Sequence, residues 1–273
     1  MQYREFHPPA PLGRYLECIW LLAGEPCDAE MAPQRIFPDG CVEAILHFGD
    51  RFEQHDEEGR ARPQPPELVV GQLDRPMLIR PTGRVEIVGI RFRPAGAFPF
   101  FRIPVEEFNG KVLALEAVLG SFRREMLASV NPALPLEKKA GEIARLLHAR
   151  LSRSEPPDRT AECVAGEILR DPAGASVSAL ARAAGLSSRQ LERKFRRHVG
   201  LEPKLFCRIQ RFQRVFRTVE QLGGAPWAEV AVECGFYDQA HFIKECRQFS
   251  GLTPPVLFSQ LTPMTEQFTR KNR

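Results

Sequence analysis

Hydrophobic and polar positions alternate with a period of two in the first part of the chain. Val88, Ile90 and Phe92 are separated by Gly89 and Arg91, which is typical of a half-buried strand. An apolar run over 42–48 follows the Pro-Asp-Gly sequence at 38–40, which favours a turn that leads into another strand. These patterns predict an antiparallel β unit, either a barrel or a sandwich.

After about residue 105 the spacing of the apolar positions becomes helical. The apolar residues of two predicted helical stretches are Leu113, Leu115, Val118, Leu119, Phe122 and Met126, and then Ile143, Leu146, Leu147 and Leu151. The polar segment 152–160 contains Pro156 and Pro157 and has the composition of a linker. The sequence therefore predicts an α+β N-terminal domain over 1–152, an all-α C-terminal domain over 160–261 and a flexible tail over 262–273.

One short pattern occurs twice in the helical part. "GLSSRQLERKFRRHVGLEP" begins at Gly185 and "GFYDQAHFIKECRQFSGLTP" begins at Gly235, with matching positions about 50 residues apart. Each copy has a short apolar helix, a glycine that ends it, a capping residue and a second helix, which together predict a helix-turn-helix unit. Ser187 or Ser188 supplies the cap in the first copy, and Asp238 supplies it in the second.

The second helix of each copy carries its outward-facing residues in one stripe. The first stripe comprises Arg189, Glu192, Arg193 and Arg196, the second comprises Ala240, Ile243, Lys244 and Arg247, and Gln190, Gln239 and His241 flank them. A stripe with this spacing fits the major groove of DNA, where arginine and lysine contact guanine while alanine and isoleucine contact the thymine methyl group. Any one of these side chains alone is better explained as ordinary surface polarity, so the prediction rests on the set.

A long apolar-periodic helix is predicted between the two copies, from Pro203 to Leu222. About 19 helical residues span roughly 28 Å, close to the spacing of about 34 Å between successive major-groove faces on one side of DNA. Arg208 and Arg211 on this helix are candidate phosphate contacts, together with the capping residues Ser187, Ser188 and Asp238. For the two arginines an equally good interpretation is that their stems cover apolar surface.

The net charge of +4 is divided unevenly along the chain. Residues 160–273 contain 17 basic and 11 acidic residues, whereas residues 1–159 contain 21 basic and 23 acidic residues. A basic C-terminal part is a weak indication of a polyanionic partner on its own. Together with the repeated helices it favours nucleic acid.

The block from 160 to 261 resembles the DNA-binding domain of the AraC/XylS family of transcription regulators. The two quoted stretches carry the pattern of that family closely, including the closing Gly-x-x-Pro of each copy. The resemblance implies a sequence-specific regulator that binds double-stranded DNA with two recognition helices. The chain departs from the family at Cys246, where phenylalanine is common, and Glu192 and Ala240 make parts of the stripes acidic or apolar.

The same resemblance implies that the N-terminal domain senses a signal or dimerises, although the likeness there is weaker. It rests on "RIFPDGCVEAILHFGD" and "VGIRFRPAGAFPFF". RNA polymerase, a small-molecule effector and a second copy of the chain are left open as further partners. The polar groups nearest to the predicted strands are Arg35, Asp39, Glu43, His47, Arg91 and Arg93, and salt bridging or turn capping is the favoured interpretation of each.

Several classes of function find no support in the sequence. The chain has no apolar run long enough to span a membrane and no signal-peptide pattern, and its seven cysteines include no CxxC pair, so we expect a cytoplasmic protein with reduced thiols. Cys41, Glu43 and His47 could share one face of a strand, but a metal site is the less favoured interpretation. With no phosphate-binding loop and no catalytic constellation, we expect no enzyme activity, no cofactor and no metal.

Two alternatives remain open at this point. The first part of the chain could be a catalytic or metal-dependent β domain fused to a DNA-binding domain. The basic helices could instead bind an acidic protein.

Overall fold

The computed structural model describes residues 1–28, 30–56, 58–151, 154–262 and 264–265. Strands dominate the first part of the chain because β-branched and aromatic residues alternate there with polar ones. The strands are β1 Gln2–Phe6, β2 Leu16–Gly24, β3 Gln34–Ile36, β4 Val42–His47, β5 Glu53–His55, β6 Ala61–Pro63, β7 Glu67–Val70, β8 Met77–Arg80, β9 Val85–Phe92 and β10 Val112–Ala114.

The strands form two antiparallel sheets that pack on each other. One sheet has six strands in the order β1-β2-β9-β4-β7-β10, and the other has four in the order β3-β8-β5-β6. The prediction of an antiparallel sandwich is therefore confirmed, and the barrel alternative is wrong because the two sheets do not close on each other.

Helices follow and interrupt the strands of this β domain. They are α1 Phe98–Phe101, α2 Leu115–Leu119, α3 Ser121–Ser129 and α4 Leu136–Leu151. The prediction that Leu113 is helical is wrong, because Leu113 lies in β10 and pairs with Val69 of β7. The helix predicted around Ile143 and Leu147 is confirmed as α4, and both side chains are buried.

The central strand β9 is buried on both faces. Val88, Ile90 and Phe92 belong to a core that they share with the helices, whereas Val85 and Ile87 belong to the core between the two sheets. The alternation predicted a half-buried strand. The four-stranded sheet covers the face that was expected to be polar.

The second part of the chain is helical throughout its described elements, as predicted. Its helices are α5 Arg159–Arg170, α6 Val177–Ala183, α7 Ser188–Val199, α8 Pro203–Leu222, α9 Trp227–Glu233, α10 Gln239–Ser250 and α11 Pro254–Ser259. Phe195 of α7, Phe212 of α8 and Phe242 of α10 are fully buried in one core. The α8 helix thus supports both helix-turn-helix units, α6–α7 and α9–α10.

The turn that precedes β4 enters this helical core. Phe37 stacks on Phe216 of α8 with ring centroids 5.8 Å apart, and it meets Phe212 edge-on at 6.0 Å. A residue of the β domain is therefore part of the core of the helical half.

Two glutamines of α8 hold the same turn by its backbone. Gln213 Nε2 donates to the carbonyl oxygen of Pro38 at 2.6 Å, and Gln210 Nε2 donates to that of Asp39 at 2.8 Å. Gly40 completes the fit, since its φ is +82° and a β-carbon there would lie 2.5 Å from Gln210 Nε2. Glycine is the residue that satisfies both conditions.

The segment predicted to be a flexible tail, 262–273, lies mostly outside the described residues. Two of its described residues, Met264 and Thr265, are buried, and Met264 belongs to the core between the sheets. The beginning of this segment therefore packs on the β domain. In the described part of the chain, no helix has both the length and the apolar character that crossing a membrane requires.

Candidate nucleic-acid interface

The first recognition helix, α7, begins with a reciprocal cap. Ser187 Oγ accepts from the backbone N–H of Gln190 at 3.3 Å, and Gln190 Oε1 accepts from the backbone N–H of Ser187 at 2.9 Å. Ser187 is therefore the N-cap and Ser188 is the first helical residue. The amide oxygen of Gln190 is engaged in starting the helix, which leaves its NH₂ group to face outward.

The predicted stripe of α7 faces solvent. Arg189, Arg193 and Arg196 are exposed and Glu192 is half-buried, while Leu191, Phe195 and Val199 fill the core on the opposite side. The burial pattern follows from helical spacing, because apolar positions three and four residues apart share one face. Three guanidinium groups therefore lie along one outer surface.

The second recognition helix, α10, is capped by Asp238, whose Oδ1 accepts from the backbone N–H of His241 at 2.7 Å. Ala240, Lys244 and Arg247 are exposed and Ile243 is half-buried. The second stripe thus faces outward as the first does, and it has two charged side chains where the first has four. Gln239, the first residue of α10, is exposed as well.

His241, in the first turn of α10, is held by residues that precede the helix. Its Nδ1 accepts from the backbone N–H of Tyr237 at 3.3 Å, and its ring meets Phe236 edge-on at 5.6 Å. This position leaves His241 at the edge of the stripe, half-buried.

Tyr237 is an exposed aromatic residue that sequence reasoning missed. It is 90% exposed and lies directly before the N-cap Asp238. An aromatic residue directly before the cap was the available signal. The preceding aromatic residue, Phe236, packs on Phe242, whereas Tyr237 stays exposed.

Cys246, which departs from the family pattern, occupies a fully buried position in α10. Burial raises the pKa of its thiol to about 12. The group therefore stays protonated and packs as a small apolar side chain. The departure is accommodated within the helical core.

The candidate phosphate contact Arg208 is bound within the protein. Its guanidinium forms a bidentate ion pair with Glu245 of α10, with Nη2–Oε1 and Nε–Oε2 distances of 2.7 and 3.0 Å. Arg211 donates to the carbonyl oxygen of Gly235 at 3.3 Å and lies over the Phe236 ring. Both arginines therefore fasten the second helix-turn-helix unit to α8, and their contact with phosphate remains a prediction.

The β domain holds the C-terminal end of α7. Gln72 Nε2 donates to the carbonyl oxygen of Val199 at 2.8 Å, and Asn109 Nδ2 donates to that of Gly200. Gly200 has a φ of +98°, and a β-carbon there would lie 2.8 Å from Gln72 Cγ. This close approach ties one recognition helix directly to the other half of the chain.

The ring of Phe98 adds an aromatic contact at the same end of α7. It meets His198 with ring centroids 4.5 Å apart and lies beneath the guanidinium of Arg197. Burial at this contact lowers the pKa of His198, which favours the neutral ring.

Three of the six polar groups singled out among the strands form an ionic cluster. Arg91 is buried between Glu43 and Asp39, at N–O distances of 2.8 and 3.3 Å. This arrangement agrees with the salt-bridge interpretation. Across the described ranges, no three histidine, cysteine, aspartate or glutamate side chains come together as metal ligands would, Cys41, Glu43 and His47 included.

Two parts of the chain match models of known families. Residues 4–114 match a domain of unknown function, DUF6597, and residues 180–260 match a helix-turn-helix domain. No curated protein sequence matches the chain at a significant level.

Solved structures with a similar arrangement include ToxT from Vibrio cholerae, at 9% identity and a TM-score of 0.48 over 89% of this chain and 99% of that one. ToxT from Vibrio cholerae strain SCE256 with an unsaturated fatty acid bound gives 8% identity and a TM-score of 0.46 over 89% and 96%. The AraC-like transcriptional activator CuxR gives 15% identity and a TM-score of 0.29 over 78% of each chain.

The repeated helix-turn-helix units, their outward stripes and the match over 180–260 agree with the resemblance drawn from the sequence. The chain therefore carries an AraC-type helix-turn-helix domain over 180–260 and a DUF6597 domain over 4–114.

Proposed function

We propose that this regulator binds double-stranded DNA in a sequence-specific manner, with α7 and α10 in two adjacent major-groove segments. The observation that carries the proposal is the matched burial of the two helices. Each buries its apolar face in the core that contains α8, and each leaves its polar stripe exposed.

The length of α8 suits this arrangement. It has 20 residues, which corresponds to about 30 Å, and successive major-groove faces lie about 34 Å apart. One chain could thus place both recognition helices on the same side of a duplex.

The two stripes would contribute differently to recognition. Arg189, Arg193 and Arg196 can donate to guanine, whereas Ala240 and Ile243 offer apolar contact to the thymine methyl group. Lys244 and Arg247 add donors on the second helix. The first block of the binding site should accordingly be richer in G·C pairs than the second.

Affinity would come largely from phosphate contacts and would fall steeply with salt. The helix starts at Ser187, Ser188 and Asp238 direct backbone N–H groups outward, where a phosphate can accept from them. Arg208 and Arg211 could contribute their charge from α8, although both also bind within the protein.

The N-terminal domain, 1–152, would modulate DNA binding by the C-terminal domain, 160–261. Its contacts with the end of α7 and with α8 support this, because a change in the β domain would reach the recognition helices directly. A small-molecule effector fits such a role. We place this activity in the cytoplasm.

Selection of bound sites from a random duplex pool tests the proposal. We expect a split motif whose two blocks lie about one helical turn apart, about 10–10.5 base pairs from centre to centre. The double variant Lys244→Ala/Arg247→Ala should retain the block read by α7 and lose information in the other. Arg170→Ala, which removes an exposed charge paired with Glu167 on α5, is the matched control and should leave both blocks intact. Enrichment of no sequence at all would rule out the proposed function.

A further inference from the structure

A cavity of about 490 Å³ lies between the two halves of the chain. The β domain contributes the end of β5, the loop 72–77 and residues 109–112, and the helical half contributes Leu201 and Leu205. A cavity of this volume falls within the range of small-molecule sites, which favour boundaries between domains.

Gln72 is a polar residue in the lining of this cavity. Its side chain is 2% exposed, and its Nε2 donates to the carbonyl oxygens of Gly40 and Val199 at 2.9 and 2.8 Å. Both N–H groups are therefore used, and Oε1 has no hydrogen-bond partner among the described residues. A buried amide oxygen without a donor is costly, which makes a donor on a bound molecule favourable there.

His55 offers a second unsatisfied atom in the same lining. Its Nε2 is buried and has no partner in the described part of the chain. Asn109 Oδ1 is a third such atom, so three polar atoms from different parts of the β domain are left without partners among the residues that line this cavity.

The charges of the lining select the kind of molecule. Asp56 and Asp74 contribute two carboxylates, and each is paired with an arginine: Asp56 with Arg60 at 2.8 Å, and Asp74 with Arg75 at 3.3 Å. Arg75 belongs to the lining, whereas Arg60 does not. An anionic ligand would bring its charge toward two carboxylates and an amide oxygen. An ammonium group would meet acceptors, and the side chains of Leu201 and Leu205 would cover an aliphatic body.

We propose that this cavity is a binding site for a small aliphatic amine, with the ammonium group donating to Gln72 Oε1 and the apolar body against Leu201 and Leu205. The bound amine satisfies the amide oxygen whose NH₂ group holds the end of α7. Occupancy therefore favours the arrangement in which the β domain grips the first recognition helix. Only this regulatory consequence rests on the proposed DNA-binding function.

Calorimetric titration of the full chain without DNA tests the binding, using hexylamine and hexanoate as probes at pH 7 and equal ionic strength. We expect saturable binding of hexylamine and none of hexanoate. Equal or tighter binding of hexanoate, or no saturable binding of hexylamine, would overturn the proposal. Because no DNA is present, this result is independent of whether the chain selects a DNA sequence.

Two variants locate the site, and a third controls for general loosening of the interface. Gln72→Met preserves the side-chain volume and should weaken hexylamine binding by roughly tenfold, as expected for loss of a hydrogen bond to a charged group. Asp74→Asn changes an exposed carboxylate, so it leaves folding intact and should weaken binding several-fold. Gln213→Met removes another interdomain hydrogen bond, one outside the cavity, and should bind hexylamine as the unaltered chain does. Unchanged affinity in both Gln72→Met and Asp74→Asn would refute the site.

Discussion

The arginines of the helical half differ in whether their guanidinium groups are exposed or paired with a carboxylate. The guanidinium groups of Arg189 and Arg193 on α7 face solvent, whereas that of Arg208 on α8 is bound to a carboxylate. A stripe defined by spacing cannot show this difference, because an ion pair depends on a partner far along the chain. The exposed groups are the ones available to a base edge.

Replacing Arg193 with alanine should relax the base preference of the first block. Loss of a bidentate contact with guanine corresponds to about 1–3 kcal/mol of discrimination at one position. Competition binding with single-base variants of the selected site measures the effect. Lys194→Ala is the control on the same helix, since Lys194 pairs with Asp158 at 2.7 Å, and its removal should leave the preference unchanged. A uniform loss across all sequences for Arg193→Ala would assign that side chain to phosphate instead.

His47 makes the stability of the β domain depend on pH. Burial lowers the pKa of its imidazole to about 4, below the value of about 6.5 expected in the unfolded chain. Between these pH values the unfolded chain binds a proton that the folded chain does not. The contribution of the neutral His47 ring to the free energy of unfolding is therefore complete above pH 6.5 and is lost as the pH falls toward 4.

The expected loss from His47 between pH 7 and pH 4 is about 3 kcal/mol in the free energy of unfolding. Urea denaturation over this pH range, compared with the variant His47→Leu, isolates it from the titration of the carboxylates. The variant should lose less stability on acidification by that amount. Parallel pH profiles for the two proteins would contradict the assignment.

Among the elements, α8 and α10 are joined by a largely buried ion pair. The side chain of Glu245 is 5% exposed and that of Arg208 is 26% exposed. The orientation of the second recognition helix relative to α8 therefore depends on a charged contact as well as on apolar packing.

Arg208→Met should destabilise the helical half by about 3 kcal/mol, because it leaves the carboxylate of Glu245 buried without its principal partner. The double variant Arg208→Met/Glu245→Met should recover much of the loss, and urea denaturation of the full cycle measures the coupling. If Arg208 acted mainly on phosphate, the single variant would reduce the salt dependence of DNA binding while stability stayed unchanged.

At the level of helices and strands, some features could be predicted from the sequence and others could not. The starts and ends of α7 and α10 were predictable because helix caps depend on local sequence. Ser187 and Asp238 accept from backbone N–H groups three residues further on, and Gly200 and Gly251 end the helices. The role of Arg208 was not predictable, since its partner Glu245 lies 37 positions away. Leu113 was assigned to a helix because an edge strand of three residues leaves too short a pattern to detect.

For the whole molecule, the decisive contact is the insertion of Phe37 into the helical core. The hydrogen bond between Gln213 and the carbonyl oxygen of Pro38 joins residues 175 positions apart. No local sequence pattern could therefore have predicted this interface. We expect this interface to couple the unfolding of the two halves.

Phe37→Ala should cost about 3–5 kcal/mol and separate the unfolding of the two halves. The chain has two tryptophans, and single-tryptophan variants that retain Trp20 or Trp227 report on the β domain and on α9 respectively. The unaltered interface should give coincident urea midpoints for the two reporters, and Phe37→Ala should split them. Phe52→Ala, within the core between the sheets, should lower stability without such a split. Coincident midpoints in Phe37→Ala would show that the halves are coupled by other contacts.

The turn carrying Phe37 and Gly40 also limits how this regulator can be engineered. A fragment truncated to its DNA-binding half would bare the rings of Phe212 and Phe216 that Phe37 now covers, and such fragments would tend to self-associate. A chimaera with a different N-terminal domain would need a turn that inserts an aromatic ring into the helical core and has glycine where the turn approaches α8. The alternative would be new side chains at positions 210 and 213 of α8. The two halves are complementary at this interface, so exchanging either one requires redesign of the interface residues.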